Sequence, residues 1–187
     1  ELALEGGTDI LVATPHSNQE GRFENYAGRK LELVYERLRQ RLDEQNIPLQ
    51  LLLGMEIYAS DDLQEKIKAG RVIGLNQTDY YLIEFPFECE QYWIGECLEN
   101  VLDCGKIPII AHPERYVCVQ EYPALLYEWL RMGCLSQVNK GSLFGRFGKG
   151  SYYTVHTLLQ NGLVTCIASD AHSSYMRTTY MRDAWEY

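Results

Sequence analysis

Short apolar runs rich in β-branched residues alternate with longer amphipathic segments, and this alternation restricts the fold more than any other feature. The runs that predict strands are Asp9–Thr14, Leu49–Ile57, Tyr80–Phe85, Ile107–Ala111, Cys134–Val138 and Val164–Ser169. The helical patterns between them are Arg29–Glu44, Asp61–Ala69, Trp93–Cys104, Pro123–Met132 and Ser151–Asn161. Apolar strands that alternate with helices are typical of a parallel sheet covered by helices. No Rossmann glycine fingerprint is present, so the pattern favours a (β/α) barrel over an open sheet.

Length and charge limit the class of protein. The chain has 187 residues, enough for one domain with a sizeable core, and a formal net charge of −9. That charge argues against nonspecific binding to nucleic acid or to an anionic membrane. No apolar run approaches the roughly 18 to 20 residues that span a bilayer, and no signal peptide opens the chain. The first residues, up to Gly6 and Gly7, resemble the end of a helix, so we expect a fragment that starts in mid-domain.

The six cysteines are scattered, and none forms a C-x-x-C pair. We interpret them as reduced thiols that pack as small apolar side chains. Cys118 lies close to His112 in the sequence, so a cysteine nucleophile is an alternative to consider. No C-x5-R phosphate loop surrounds any cysteine, and the sequence therefore offers no further support for that alternative.

Five of the six apolar runs lead into a His, Glu or Asp. These residues are His16, Glu56, Glu84, His112 and Asp170, with His172 two residues further. In a (β/α) barrel the carboxyl ends of the strands converge on one face, where the active site lies. Three imidazoles and three carboxylates in one pocket suit Mn²⁺, Fe²⁺ or Zn²⁺. Each residue alone has an ordinary structural explanation, and the joint pattern is what predicts a metal centre.

Two arginines closely follow predicted ligands: Arg115 follows His112, and Arg177 follows His172. Arginine suits bidentate contact with phosphate oxygens, so both are candidate phosphate-binding residues. Arg22 is a weaker third candidate.

Two further polar features have an ordinary interpretation. The fourth histidine, His156, lies inside a helical pattern and is predicted to be a surface or packing residue. The stretch Gly145–Ser151 fails the P-loop pattern. We interpret it as a loop that enters a helix at Ser151, with an incidental chance of contact with an anion.

Five motifs together resemble the bacterial PHP-family tyrosine-protein phosphatases of the CpsB/YwqE type. They are ATPH (Ala13–His16), GMEI (Gly54–Ile57), LIEFPF (Leu82–Phe87), AHPERY (Ala111–Tyr116) and SDAH (Ser169–His172). The resemblance covers essentially the whole chain, and HPERY combined with SDAH is fairly specific for this branch. It implies an α/β fold, a distorted TIM-like (β/α)7 barrel of the PHP type. The family's opening D-x-H-x-H strand has no counterpart here.

The resemblance also implies a domain organisation and a metal centre. We expect a single PHP phosphatase domain over residues 1–187 that lacks its first strand and is incomplete at the N-terminus and also at the C-terminus. The centre would hold two or three divalent metals, manganese in the usual case, with iron or zinc as alternatives. Glu56 would bridge two metals. By motif, the first metal would be held by Glu56 and Asp170, the second by Glu84 and His112, and the third by His16 and His172.

The implied function is metal-dependent hydrolysis of phosphotyrosine on a cognate bacterial tyrosine kinase that controls capsule or exopolysaccharide synthesis. Arg115 and Arg177 would bind the phosphate. Water activated at the metals would attack phosphorus directly, without a phosphocysteine intermediate. The resemblance implies a cytoplasmic protein. The net charge and the lack of a long apolar run predict no nucleic-acid partner and no membrane insertion, and a homo-oligomer is left open. Without an H-x-H pair the first metal keeps only Glu56 and Asp170, so weaker metal affinity is expected.

Two alternatives stay open on the sequence alone. The first is a PHP phosphoesterase for a small molecule of the histidinol-phosphate type. The second is a catalytically impaired module that binds phosphotyrosine or the kinase.

Overall fold

The computed structural model describes residues 1–187 and contains eight strands, nine helices and two short 3-10 turns. The strands are β1 (Ile10–Ala13), β2 (His16–Ser17), β3 (Gln50–Leu53), β4 (Glu56–Tyr58), β5 (Tyr80–Glu84), β6 (Ile107–Ala111), β7 (Leu135–Asn139) and β8 (Cys166–Ala168). The helices are α1 (Leu2–Glu5), α2 (Arg29–Glu44), α3 (Leu63–Lys68), α4 (Gln91–Asp103), α5 (Val117–Glu121), α6 (Ala124–Arg131), α7 (Lys140–Leu143), α8 (Gly148–Gln160) and α9 (Arg182–Trp185). The 3-10 turns are Leu75–Gln77 and Pro113–Arg115.

All strand pairs are parallel, which confirms the α/β class. β1 pairs with β3, and a six-stranded sheet follows the order β2-β4-β5-β6-β7-β8. The two parts are continuous, because the Gly54 N–H donates to the Ala13 carbonyl and the Glu56 N–H donates to the Pro15 carbonyl. β1 and β2 thus form one edge of the sheet, and β8 forms the other. β8 pairs with neither β1 nor β2, so the sheet does not close into a barrel.

The two faces of the sheet bury different side chains. Ile57, Ile83, Ile110 and Val138 come from four neighbouring strands, are fully buried, and belong to the main core beneath the helices. Each such side chain contributes about 1.5 to 3 kcal/mol when removed from water. Because side chains alternate along a strand, the opposite face carries a smaller cluster of Leu82, Ile109 and Ala111. On this second face the strands end in the polar residues predicted from the sequence.

Two boundaries differ from the sequence-based expectation for physical reasons. The run Leu49–Ile57 is two strands, interrupted at Gly54, where a Cβ atom would lie 2.7 Å from the Leu75 side chain. The last long helix begins at Gly148 rather than Ser151. Gly150 lies inside that helix. A larger residue would not fit there, since an added Cβ atom would be 2.3 Å from Gln120 Oε1. Both glycines mark close packing. The sequence had indicated an uninterrupted strand at Gly54 and a loop at Gly150.

Tyr116 joins the ends of two strands that lead to the site. Its side chain is fully buried. The hydroxyl donates to the Ala111 carbonyl at 2.6 Å and accepts the Phe85 N–H at 3.1 Å. The residues that follow β5 and β6 are therefore held together immediately beside Glu84 and His112. None of the nine helices combines the length and the apolar composition that crossing a bilayer requires.

Candidate active site

The carboxyl ends of the strands open into a cavity of about 400 Å³. Seven of the eight residues predicted as ligands or phosphate-binding groups line it: His16, Glu84, His112, Arg115, Asp170, His172 and Arg177. The eighth, Glu56, is 5% exposed and contacts the lining residues from below. The structure therefore brings all eight together, and Arg22 also lines the cavity. Their roles as ligands and phosphate-binding groups stay predictions.

Glu56 and Glu84 form the acidic centre of the cluster. His112 Nε2 lies 3.1 Å from Glu56 Oε1 and 3.5 Å from Glu84 Oε1. On the other side, His16 Nδ1 lies 3.7 Å from Glu56 Oε2 and 3.5 Å from Glu84 Oε2. Each carboxylate thus faces two imidazoles, one from β2 and one from the residue that follows β6.

The cluster continues towards solvent through two more histidine contacts. His16 Nε2 and His172 Nε2 lie 3.2 Å apart. His172 Nδ1 in turn lies 3.5 Å from Asp170 Oδ1. The six predicted ligands therefore form one continuous set of contacts that crosses the sheet from β6 past β2 to the segment after β8.

This donor set fits divalent cations. Ligand atoms of His16, Glu56 and Glu84 all lie within 4.8 Å of one another. Two imidazole nitrogens that face each other, as in His16 and His172, need either a shared proton or a cation between them. Mixed nitrogen and oxygen donors suit first-row divalent metals better than an all-oxygen site does.

Contacts within the cluster shift the pKa values of two imidazoles and one carboxyl group. The hydrogen bond to Glu84 raises the pKa of His16 above its ordinary value of 6.5, against the opposing effect of burial. Burial disfavours a charged His112, but the contact with Glu56 outweighs it and raises the pKa of that imidazole. Burial also favours a neutral Glu84, whereas its contacts with His16 and His112 lower the pKa of the carboxyl. The ion pairs are therefore strong enough to overcome desolvation.

Arg115 is fixed by two aromatic rings. Its guanidinium carbon lies 4.3 Å from the centroid of Phe87 and 4.4 Å from the centroid of Phe147. A planar guanidinium stacks on such rings with its N–H groups free at the edge. One edge faces Asp170, with Arg115 Nη1 at 4.0 Å from Asp170 Oδ2. The ring of Phe147 also lies 5.4 Å from the guanidinium of Arg177, so one phenylalanine contacts both arginines.

Asp170 is the anchor for the second arginine. Its carboxylate pairs with Arg177, and the Arg177 Nε also donates to the Asp170 backbone carbonyl at 3.0 Å. The Asn139 side-chain amide donates to Asp170 Oδ2 at 2.6 Å. Asp170 thus contacts arginine, asparagine and histidine side chains at the same time.

Buried Glu114 supports this arrangement from behind. It is fully buried and accepts hydrogen bonds from the Asn139 backbone N–H at 3.0 Å and from Ser142 Oγ at 2.6 Å. Burial raises the pKa of its carboxyl group. Glu114 therefore links the turn after β6, which carries Arg115, to the end of β7, which carries Asn139.

Three site residues have backbones in the left-handed region that non-glycine residues seldom adopt. The φ angles are 36° for His112, 46° for Asp170 and 50° for Arg177. Such conformations cost of order 1 to 3 kcal/mol and persist only where the surroundings enforce them. Their concentration at this cavity is typical of a functional site.

The cysteines take no part in the cavity. All six are free, and none lines the cavity. Burial raises the pKa of the Cys118 thiol, and it raises that of Cys89 to about 11. Thiols of this kind are poor nucleophiles at neutral pH, so the structure gives no support to the cysteine-nucleophile alternative.

The two features given an ordinary interpretation also lie outside the centre of the site. His156 is on α8 and contacts the rings of Tyr152 and Tyr187 rather than the cavity, as predicted. The stretch Gly145–Ser151 does not line the cavity. It contributes instead through Phe147, the ring beneath both arginines.

Sequence reasoning missed Asn139, Phe23, Phe87 and Phe147. Asn139 could have been found, because it ends β7 and thus obeys the same strand-end rule as the predicted ligands. The run read from the sequence stopped at Val138, one residue too early. The phenylalanines carry no such signal, since an isolated aromatic residue is far more often part of a core.

Comparisons with known proteins agree with this geometry. A family model described as "Capsular polysaccharide synthesis, CpsB/CapC" matches residues 1–187. The chain is 35% identical over 182 residues to tyrosine-protein phosphatase YwqE of Bacillus subtilis, covering 97% of this chain and 71% of that protein. It is 32% identical over 198 residues to tyrosine-protein phosphatase CpsB of Streptococcus agalactiae, covering 100% of this chain and 78% of that protein.

A solved structure is equally similar. Its description is crystal structures of YwqE from Bacillus subtilis and CpsB from Streptococcus pneumoniae, unique metal-dependent tyrosine phosphatases. The TM-score is 0.89 at 34% sequence identity, and the match covers 97% of this chain and 73% of that chain. Since the family model spans every residue and relatives exceed 30% identity, this chain belongs to the CpsB/CapC family.

Proposed function

We propose that this chain is a metal-dependent protein-tyrosine phosphatase. The observation that carries the proposal is one cavity in which a cluster of imidazoles and carboxylates lies beside two fixed arginines. Relatives named tyrosine-protein phosphatases, at 32 to 35% identity over nearly the whole chain, support it. The substrate we propose is phosphotyrosine on a cognate bacterial tyrosine kinase, in the cytoplasm, as part of the control of capsule or exopolysaccharide synthesis.

The predicted ligands have separate parts in this proposal. Glu56 is central because it contacts imidazoles on both sides, which suits a bridging carboxylate. The remaining ligands are Glu84, His112, His16, His172 and Asp170. Manganese is the metal we propose, with two or three ions per chain, and iron or zinc as alternatives. Divalent metals, when bound, supply a water of lowered pKa and neutralise charge on the phosphoryl group.

The arginines bind and orient the phosphate in this proposal. Arg115 lines the cavity, and its guanidinium packs against the rings of Phe87 and Phe147, which leaves its N–H donors available to a phosphate. Arg177 is paired with Asp170, so a phosphate would share or replace that carboxylate as its partner. Bidentate contacts with charged oxygens are shorter and stronger than neutral hydrogen bonds, which suits a doubly charged phosphate ester.

The finer fold and domain assignments are part of the same proposal. We infer that the parallel sheet corresponds to a distorted (β/α)7 barrel of the PHP type that lacks one strand in this chain. The two edges of the sheet support this inference, because both lead to the same cavity. β2 carries His16, β8 is followed by Asp170, and both residues line the cavity. Residues 1–187 would then form a single PHP phosphatase domain.

The test measures metal content and turnover on the same sample. Elemental analysis of the purified chain is combined with hydrolysis of p-nitrophenyl phosphate, a phosphotyrosine peptide and histidinol phosphate, with and without added Mn²⁺. We expect bound metal and Mn²⁺-dependent turnover that favours the phosphotyrosine peptide. A preference for histidinol phosphate would indicate the small-molecule phosphoesterase instead. Bound metal or peptide binding without turnover of any ester would indicate a binding module and overturn the proposal.

A further inference from the structure

Three phenylalanines line the cavity that contains the predicted ligands, and one of them, Phe85, is almost fully buried. The other two have no assigned contact with the substrate in the proposed function, although Phe87 packs against Arg115. They are Phe23, in the loop after β2, and Phe87, in the loop after β5. We propose that Phe23 and Phe87 form an aryl-binding cleft that makes the site selective for phosphate esters of aromatic alcohols. The inference rests on the proposed function, since it assigns the residues that recognise the substrate's ring.

Phe23 is placed beside the imidazole of His16. Its ring centroid lies 5.1 Å from that of His16, at an interplanar angle of 31°. Reciprocal backbone hydrogen bonds with Gln19, of 2.7 Å and 3.0 Å, fix the turn that carries the ring. The guanidinium of Arg22 lies 5.2 Å from the same ring. The ring therefore occupies a defined position at the wall of the cavity.

Phe87 is placed beside the inner imidazole. Its centroid lies 5.9 Å from that of His112, with the planes at 67°. Its carbonyl accepts the Val117 N–H at 2.8 Å, and Arg115 covers the ring at 4.3 Å. Phe87 nevertheless keeps 38% of its surface exposed. A large apolar side chain fixed on several sides and still accessible is suited to contact a ligand.

The position of the phosphate directs the rest of the substrate towards these rings. The arginines that would hold the phosphate and both phenylalanines line the same cavity, so the ester group of a bound substrate shares that cavity with the two rings. Phe23 adjoins the histidine of β2, and Phe87 adjoins the histidine that follows β6, so both rings lie next to predicted ligands. An aromatic ring packed against a phenylalanine gains about 3- to 10-fold in affinity beyond the effect of its area alone.

The experiment compares two phosphonates of similar size, phenylphosphonate and cyclohexylphosphonate. Their binding to the Mn²⁺-loaded chain is measured by isothermal titration calorimetry, which does not depend on turnover. The variants are Phe23→Leu and Phe87→Leu, which keep an apolar side chain but remove the ring. Phe144→Leu is the matched control, because Phe144 is 43% exposed and does not line the cavity.

We expect the wild-type chain and the Phe144→Leu variant to prefer phenylphosphonate. In the Phe23→Leu and Phe87→Leu variants this preference should fall by about 3- to 10-fold. The preference is the decisive readout, since a displaced Arg115 would weaken both phosphonates equally. An unchanged preference in both variants, or an equal loss for both phosphonates, overturns the aryl-binding cleft. Wild-type chain that binds neither phosphonate would overturn the proposed phosphate site itself, and the cleft with it.

Discussion

At the scale of single residues, the arginines of this site differ in how they are held. Arg115 packs against two phenylalanine rings, and its Nη1 is 4.0 Å from the Asp170 carboxylate. Arg177 is in direct contact with that carboxylate. Stacking fixes the plane of a guanidinium without occupying its donors, whereas an ion pair occupies them. Arg115 is therefore the better pre-organised of the two for an incoming phosphate.

Replacing Arg115 by alanine tests its role directly. Arg115→Ala should lower kcat/KM for p-nitrophenyl phosphate by about 100-fold or more, because a fixed charged donor to the phosphoryl group is lost. Metal content by elemental analysis should stay near that of the wild type. The control is Arg146→Ala, since Arg146 is an exposed arginine outside the cavity. Equal loss of metal and activity in Arg115→Ala would mean that Arg115 acts structurally.

The raised pKa values of His16 and His112 predict how metal binding depends on pH. Both imidazoles hold a proton above the ordinary value of 6.5 in the metal-free chain. The contribution of their ion pairs to the free energy of unfolding is fully present below pH 6.5. It is lost as the pH rises through the raised pKa values of the folded state. A metal ligand must lose its proton, so metal affinity changes in the opposite direction.

Affinity for Mn²⁺ should therefore rise from about pH 6 to about pH 8, by up to about tenfold per pH unit for each proton displaced. Calorimetric titration at several pH values measures this slope. His16→Asn should reduce the slope, whereas His156→Asn should leave it unchanged because His156 lies on α8 outside the cavity. An affinity that does not vary with pH would contradict the assignment of these imidazoles as ligands.

At the scale of elements, the turn after β6 connects three parts of the fold. His112 belongs to the acidic cluster, and Arg115 lies between the phenylalanines. Glu114 contacts the end of β7, and Tyr116 contacts the residue after β5. Four of the five residues from His112 to Tyr116 thus contact either the cavity or a neighbouring strand. A short motif can fix the relative positions of three strand ends in this way.

Substitutions of Glu114 test whether the turn depends on its acceptor oxygen. Glu114→Ala should destabilise the chain by about 2 kcal/mol or more, because the Asn139 N–H and the Ser142 hydroxyl lose a buried acceptor. Glu114→Gln keeps an acceptor oxygen and a similar shape, and burial already favours the neutral form of Glu114. It should therefore stay close to the wild type in urea denaturation. Equal destabilisation by both variants would mean that the negative charge is required.

At the scale of the whole molecule, the metals also bear on stability. The chain carries a formal net charge of −9, and Glu56 and Glu84 lie together in one cluster. A cation that binds only the folded state stabilises it by about 2.7 kcal/mol at one hundred times its dissociation constant. The melting temperature therefore measures occupancy of the site as well as folding.

Removing the metals should lower the melting temperature by roughly 5 to 10 °C for a chain of this size. Differential scanning calorimetry with excess Mn²⁺ and then with a chelator measures the difference. A variant carrying both Glu56→Gln and His112→Asn should show little or no difference, because two central donors are altered. If the wild-type chain melts at the same temperature in both conditions, the cluster does not bind metal with useful affinity.

Much of this architecture could be predicted from the sequence because its signals are local. The helix Arg29–Glu44 and the strand Ile107–Ala111 have the predicted bounds, since their patterns lie within one element. The convergence of the strand-end residues followed from the parallel arrangement. What the sequence could not provide is the choice of partners, such as Phe147 beneath both arginines or Asp170 against Arg177. Those contacts depend on distances set by the whole fold.

The contact between His16 and His172 has a consequence for the order of assembly. Their Nε2 atoms are 3.2 Å apart in space, and the two residues are 156 positions apart in sequence. Contacts between distant parts of a chain form only after the loop between them has closed, at an entropic cost that local contacts avoid. During synthesis, this pair of donors cannot exist until residue 172 has left the ribosome. Capture of a cation by both histidines would therefore report that the chain from His16 to His172 has reached its native topology.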